Sequence, residues 1–462
     1  GRIEYARAGG RINTDFIDNS GGVDTSDHEV NLKILLGIAV ARGDLTRKQR
    51  DELLAEVAGD VTRHVLYDNY LQAQILSQEA SASAQRIRDY EDLMRSLEAE
   101  GLLDRALEHL PSSEETAERE RTGAGMVRPE LAVLLAYAKR SLKGALLASS
   151  LPDDPYLERD LRRYFPDLIV ERFGHLLPEH PLRRELVATI VANDVVDAQG
   201  ITFVSRAVAE TGSEPADAAR AYRIAREVTA AAERWEAIEA QDGVIDPVVQ
   251  NELLGGVDWL VEMTARWFLQ NAPGVDIGEA VEANAAGFAE LDAELPELVP
   301  ATSRAERDGA AAALVARGAP EELARRHLYQ PALVHAPDVV AVARASGRSA
   351  SEVARAFFAA GRSLHLDWIE AQVVGFPASS RWERFALNAI VDDLLLVRRE
   401  AVQKALAAPA DGDAEQALAS FLASRPEAVA RLDRLVEQLR AEGVDDLAVI
   451  TVAVRQVRSA VS

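Results

Sequence analysis

The chain has no cysteine among its 462 residues. Disulfides and thiolate metal sites are excluded, and with them any inference of an oxidising compartment. Also missing is an uninterrupted apolar run near the ~20 residues that a bilayer-spanning helix needs. The N-terminus lacks the layout of a signal peptide, so the expectation is a cytoplasmic protein with no membrane partner. Positive charge is scarce as well: 51 Lys and Arg stand against 75 Asp and Glu, a formal net charge of −24. Polyphosphates are bound by clustered Lys and Arg that release counterions, so no nucleic-acid partner is expected; the acidity is assigned to solubility. Strand signals are rare outside residues 9–24, and no fixed-period repeat suggests a solenoid. A chain this long exceeds the usual size of one compact core, so at least two packing units are expected.

What is present is concentrated near the start, where residues 8–31 read AGGRINTDFIDNSGGVDTSDHEVN. Gly21 and Gly22 read as a turn without side chains. Ser26 followed three residues later by Glu29 has the spacing of a capping box, in which hydroxyl and carboxylate satisfy orphan helix N–H groups. A stripe at Val30, Ile34, Ile38 and Ala41 continues the expected helix. Such a turn running into a helix start can present backbone donors to an anion.

Downstream the pattern is almost wholly helical. Asp44-Leu45-Thr46 reads as the cap of one long amphipathic segment carrying Leu53, Leu54, Val57, Val61, Val65, Tyr70, Leu71 and Ile75. Residues 111–125 are polar and read as a linker or exposed loop. Pro129 opens a helix at a position where its missing N–H costs nothing. Further breaks are expected at 152–155, 178–181, 241–246, 273–275, 296–300, 375–377 and 409–413.

Asn19-Ser20-Gly21-Gly22-Val23 with Ser26 three residues on resembles an element of the nicotinamide-dependent amino-acid dehydrogenases. The continuation Asp27-His28-Glu29-Val30-Asn31 is similar to that of the large NAD-specific glutamate dehydrogenases of bacteria. Further likenesses lie in His64-Val65-Leu66-Tyr67-Asp68-Asn69-Tyr70, in the run from Arg128-Pro129-Glu130-Leu131 to Lys139, and in Ile201-Thr202-Phe203-Val204. The resemblance implies NAD as cofactor, glutamate and 2-oxoglutarate as ligands, and a homo-oligomer. It places Val23 and Ser26 in the substrate pocket, with the Ser26 hydroxyl on the distal carboxylate of glutamate. Asn19 would lie beside the nicotinamide, while Gly21 and Gly22 keep the backbone close to cofactor and substrate.

The family's Gly-rich dinucleotide turn, catalytic lysine and catalytic aspartate have no counterpart here, so no catalytic residue is assigned to this chain. Gly123-Ala124-Gly125 lacks a third glycine and follows charged residues instead of an apolar strand. The expectation is therefore the C-terminal part of a longer polypeptide. The fold class expected is mainly α: residues 1–86 as the end of an α/β dinucleotide-binding catalytic domain, then an irregular all-helical domain over 87–462. A non-catalytic helical assembly or regulatory module, or a dehydrogenase of another amino acid, is the alternative.

No metal site is expected. His175 and His180 flank Pro178 without a carboxylate motif beside them and read as loop or capping residues. Trp259, Met263 and Trp267 read as core packing widened by Leu260 and Phe268, with Gly255-Gly256 allowing close helix approach or a kink. His64, beside Tyr67 and Tyr70, is the one histidine kept as a candidate for a site or an interface.

Overall fold

The computed structural model describes residues 1–377, 381–407, 412–444 and 446–462. Among them every regular element is a helix and there is no strand, in line with the mainly α expectation. The strand signal at residues 9–24 is overturned. This stretch holds a loop, a single turn α2 (Asp15–Asp18) and the start of a long helix, and α1 (Arg2–Arg7) precedes it. A strand needs a neighbour for its N–H and C=O groups. Here Arg2 gathers the loop instead, donating to the Asn13 carbonyl and pairing with Asp15 and Asp18, each at 3.0 Å.

The chain forms two compact units, one of Gly1–Ala225 with Ala265–Gly278, the other of Arg226–Thr264 with Glu279–Ser462. In the first unit, α3 (Gly21–Arg42) leads to α4 (Arg47–Glu56) and α5 (Ala58–Ala82). Thr46 does cap: its hydroxyl accepts from the Gln49 N–H and Gln49 returns the bond. The helix it starts is the ten-residue α4, however, and a break at Val57 separates it from α5.

Next come α6 (Ile87–Ala99), α7 (Ser113–Thr122) and α8 (Arg128–Ala148). The expected linker at 111–125 is thus largely helix. Ser112 and Glu115 form a capping box, and Gly123 closes α7 in the left-handed region at φ +71°, where a residue without a β-carbon is not strained. From α7, Arg119 reaches back to the fully buried Glu130 of α8 in two parallel bonds of 2.7 and 2.8 Å. The same carboxylate accepts from the Val127 N–H and from Arg7. Burial pushes the Glu130 carboxyl up, but these bonds together hold it below the ordinary range. Pro129 sits in the first turn of α8 as expected.

Helices α5 and α8 pack with α11 (Arg183–Gln199), which follows α9 (Glu158–Tyr164) and α10 (Asp167–Phe173). After α11 the chain bends by 90° into α12 (Phe203–Thr211). The corner is built around Glu79 of α5, whose buried carboxylate accepts from the Ile201 N–H at 2.7 Å and from Tyr90 and Arg86. Gly200 stands at φ +85°, and a β-carbon there would overlap the Glu79 carboxylate. On α8, Lys139 pairs with buried Asp197 at 2.7 Å. Burial raises the Asp197 carboxyl to about 6, against the pull of Lys139. No single helix among the described residues is long and apolar enough to cross a membrane.

The second unit has a core in which Leu394, Val397 and Ala401 of helix Arg381–Ala407 meet Ile369, Leu432, Val436 and Val457. Gly256 permits a close approach, since a β-carbon there would overlap His327 and Gln330. The tryptophan stripe is only partly core: Leu260 and Phe268 are buried, but Trp259 is 39% exposed, and Met263 and Trp267 are half-buried. The break expected at 296–300 begins later, because Pro296 lies inside helix Ile277–Leu298. The break expected at 409–413 falls largely outside the described residues.

Candidate functional site

The glycine pair is not a turn. Gly21 and Gly22 are the first two residues of α3, with Ser20 as the flanking residue, and neither has positive φ. Ser20 is buried, and its Oγ accepts from the Asn69 side chain of α5 at 2.9 Å instead of capping α3. The same Asn69 amide donates to the Ile17 carbonyl at 2.8 Å. No side chain therefore caps the first turn of this 22-residue helix, leaving its leading N–H groups available to an outside acceptor.

Ser26 is no cap either. It lies inside α3, where its neighbours' N–H groups already have helical partners, and Glu29 pairs with Lys33 instead of returning to the backbone. The core face of α3 is also rotated from the expected one: His28, Asn31, Leu32, Leu35, Leu36 and Ala39 are buried, while Val30 is 49% exposed.

The residues assigned to substrate and cofactor sit together in sequence and space. Asn19 is exposed at the end of α2; Gly22, Val23 and Ser26 are exposed on the opening turns of α3, and Gly21 is half-buried. A β-carbon on Gly21 would lie 3.6 Å from Val65 of α5, whereas one on Gly22 would meet nothing within 4 Å.

Beside them lies a cluster not assembled from the sequence. Asp24 and His28 are four apart on one face of α3, as His64 and Asp68 are on α5. The His28 ring is buried, stacks on Tyr164 of α9 at 4.3 Å between centroids and lies 5.7 Å from His64. Its Nε2 faces two carboxylates, 4.0 Å from Asp24 and 3.9 Å from Asp68. Asn31 donates to the Tyr164 hydroxyl at 3.0 Å and fixes the stacked ring. Burial first and the Asp68 charge second push the Asp24 carboxyl up to about 6, opposed by His28. Burial and the neighbouring His28 lower His64, whose ring also bonds the Tyr164 backbone. Only the two four-residue spacings were legible in the sequence; Tyr164 carried no signal.

This arrangement fixes a pH dependence. Asp24 binds its proton more tightly folded than unfolded, so its contribution to stability is full below about 4 and is lost as pH rises through about 6. Asp24→Asn is expected to raise the unfolding midpoint in metal-free buffer at pH 8 and to leave it nearly unchanged at pH 4. Thermal melts at the two pH values check this, and an equal shift at both would remove the carboxylate repulsion as its cause.

Of the two histidines flanking Pro178, one takes a structural place. His180 is buried; its Nδ1 accepts from the Leu182 N–H and its Nε2 lies 3.2 Å from the Asn31 carbonyl, a loop-closing role as expected. His175 is exposed.

Residues 123–459 match the family model described as glutamate dehydrogenase, C-terminal. The chain belongs to this glutamate dehydrogenase family. Residues 1–79 match a second model, described as the catalytic domain of bacterial NAD-glutamate dehydrogenase. The chain is 41% identical over 394 residues to the NAD-specific glutamate dehydrogenase of Halomonas elongata, covering 85% of the chain and 24% of the relative. The like-named Pseudomonas aeruginosa protein is 40% identical over 98% of the chain and 28% of the relative. That of Mycobacterium tuberculosis is 35% identical over 99% and 28%. The chain thus spans about a quarter of the length of these relatives.

Proposed function

We propose that this chain serves as the C-terminal part of an NAD-specific glutamate dehydrogenase, which oxidises L-glutamate to 2-oxoglutarate and ammonia. The observation that carries the reading is the uncapped start of α3, with Gly22, Val23 and Ser26 exposed around it. These residues fit a dinucleotide and a dicarboxylate: the space beside Gly22 is open, and Ser20 is turned away to Asn69. Asp24, the acidic residue of that first turn, faces Asp68 and His28. NAD, when bound, accepts the hydride from the glutamate α-carbon.

The chain's own residues bind and orient. Ser26 donates its hydroxyl hydrogen to the distal carboxylate of glutamate, Val23 forms an apolar wall, Asn19 positions the carboxamide end of the cofactor, and Gly21 and Gly22 let it approach the backbone. Attraction for these anions is local, since more distant charges of a strongly acidic chain are screened beyond about 8–10 Å. Residues 1–86 complete the catalytic domain in this reading, and residues 87–462 form the helical domain.

Two measurements test it. The 462-residue chain alone is expected to reduce no NAD with glutamate, because positioning both reactants needs groups it lacks; appreciable turnover would overturn the assignment of those groups elsewhere. In the longer enzyme, Ser26→Ala is expected to raise the glutamate KM roughly tenfold by removing one charge-assisted bond, with kcat little changed. Because Ser26 is exposed and caps nothing, the unfolding midpoint should stay at the wild-type value. An unchanged KM would take Ser26 out of the pocket.

A further inference from the structure

We propose that Asp24, His28 and Asp68 form a binding site for a divalent transition-metal cation between α3 and α5. One donor atom from each residue lies within 4.8 Å of the other two. The three converge from two helices that Asn69, adjacent to Asp68, ties together through Ser20. Metal–ligand bonds of about 2.0–2.2 Å place donor atoms roughly 3–3.5 Å apart around one centre. Small side-chain rotations of the two aspartates close the remaining gap.

The observation that points to a ligand, beyond the acidic pair, is His28. Its side chain is 3% exposed, and Nε2 is aimed at both carboxylates at 3.9 and 4.0 Å, too far for hydrogen bonds. Its Nδ1 is buried with no hydrogen-bond partner. Leaving a buried imidazole nitrogen without a partner is costly. A cation on Nε2 would give that nitrogen a close partner, though not Nδ1, and would relieve the repulsion between the two aspartates. The stacked Tyr164 ring holds the imidazole in the orientation required.

One imidazole nitrogen and two carboxylate oxygens, with no thiolate, suit zinc or manganese better than soft-metal sites. Asp68 is 46% exposed, so solvent can complete the coordination. Sequence spacing alone does not join Asp68 to Asp24 and His28, which lie on another helix. This proposal stands independently of the dehydrogenase reading, because it concerns cation binding by the chain itself.

The test uses the 462-residue chain, stripped with chelator and titrated calorimetrically with Zn2+ and with Mn2+. One equivalent is expected to bind, and saturating Zn2+ is expected to raise the unfolding midpoint. Asp68→Asn, at a half-exposed position, should weaken binding at least tenfold and abolish the thermal shift while preserving the metal-free circular dichroism. The Asp24→Asn/Asp68→Asn double variant should lose one-to-one binding. No stoichiometric uptake at millimolar free metal would overturn the site. So would equal uptake by Asp68→Asn, which would assign binding to other surface carboxylates.

Discussion

Gly22→Val, introduced into the longer enzyme to which this chain is proposed to belong, is expected to lower glutamate-dependent NAD reduction by on the order of a hundredfold or more while the unfolding midpoint stays near wild type. The expected turn made the glycine a requirement of the backbone as well as of a close ligand. The structure separates the two effects. Gly22 has helical backbone in the first turn of α3, and a β-carbon at that position meets nothing within 4 Å. A valine is therefore accommodated by the fold, and its branched side chain obstructs only what approaches from outside. Calorimetry with NAD and with glutamate, beside a thermal melt, reads both quantities. Lost binding with an intact melt places a ligand against the helix start. A lowered midpoint would assign the glycine to packing, and near-normal turnover would remove this turn of α3 from the site.

The largest loss of stability is expected from Glu130→Ala. That carboxylate is fully buried and is held by two bonds from Arg119, one from the Val127 N–H and one from Arg7. Its removal leaves the Arg119 guanidinium, 14% exposed, without its main partner. Breaking a buried ion pair from one side costs about 3–5 kcal/mol, measurable by urea denaturation followed by circular dichroism. The pH dependence has a definite sign. A carboxyl held below its ordinary pKa contributes stability above the unfolded value and loses it as pH falls through the folded one. The variant should therefore lose part of the wild-type acid sensitivity. A cost below about 1 kcal/mol, the range of exposed pairs, would show that the α7–α8 joint is not held by this carboxylate.

Features set by neighbours in sequence were the legible ones. Thr46 with Gln49 and Pro129 at the opening of α8 are local chemistry, complete within one turn. The Ser26–Glu29 spacing misled because the same four residues fit inside a helix as well as at its start. What distinguishes the two cases is Asn69 drawing Ser20 toward α5, a contact across 49 residues. Residues 111–125 looked like a linker because their polar side chains serve ion pairs, Arg119 with Glu130 above all. The Asp24–His28–Asp68 cluster and its Tyr164 wall combine three helices, so no periodicity could reveal them. The segments that carried the family resemblance coincide with joints of the fold: Asp68 and Asn69 on α5, Glu130 and Lys139 on α8, and Ile201 at the corner beside Glu79.

Helix α5 runs unbroken from Ala58 to Ala82, and at 1.5 Å per residue the stretch from Asp68 to Glu79 is a strut of about 16 Å. One end grips the entrance of α3 through Asn69; the other is locked into the corner at Ile201 and Gly200. The position of the glycine pair is consequently inherited from a rod lying far along the chain, not from the loop that leads into it. Length changes in the Gly43–Thr46 connection would be absorbed there, whereas a shift of Glu79 would be delivered mechanically to Asp68 and to the start of α3. The candidate site is aligned from behind, by the same helix that anchors the unit's core.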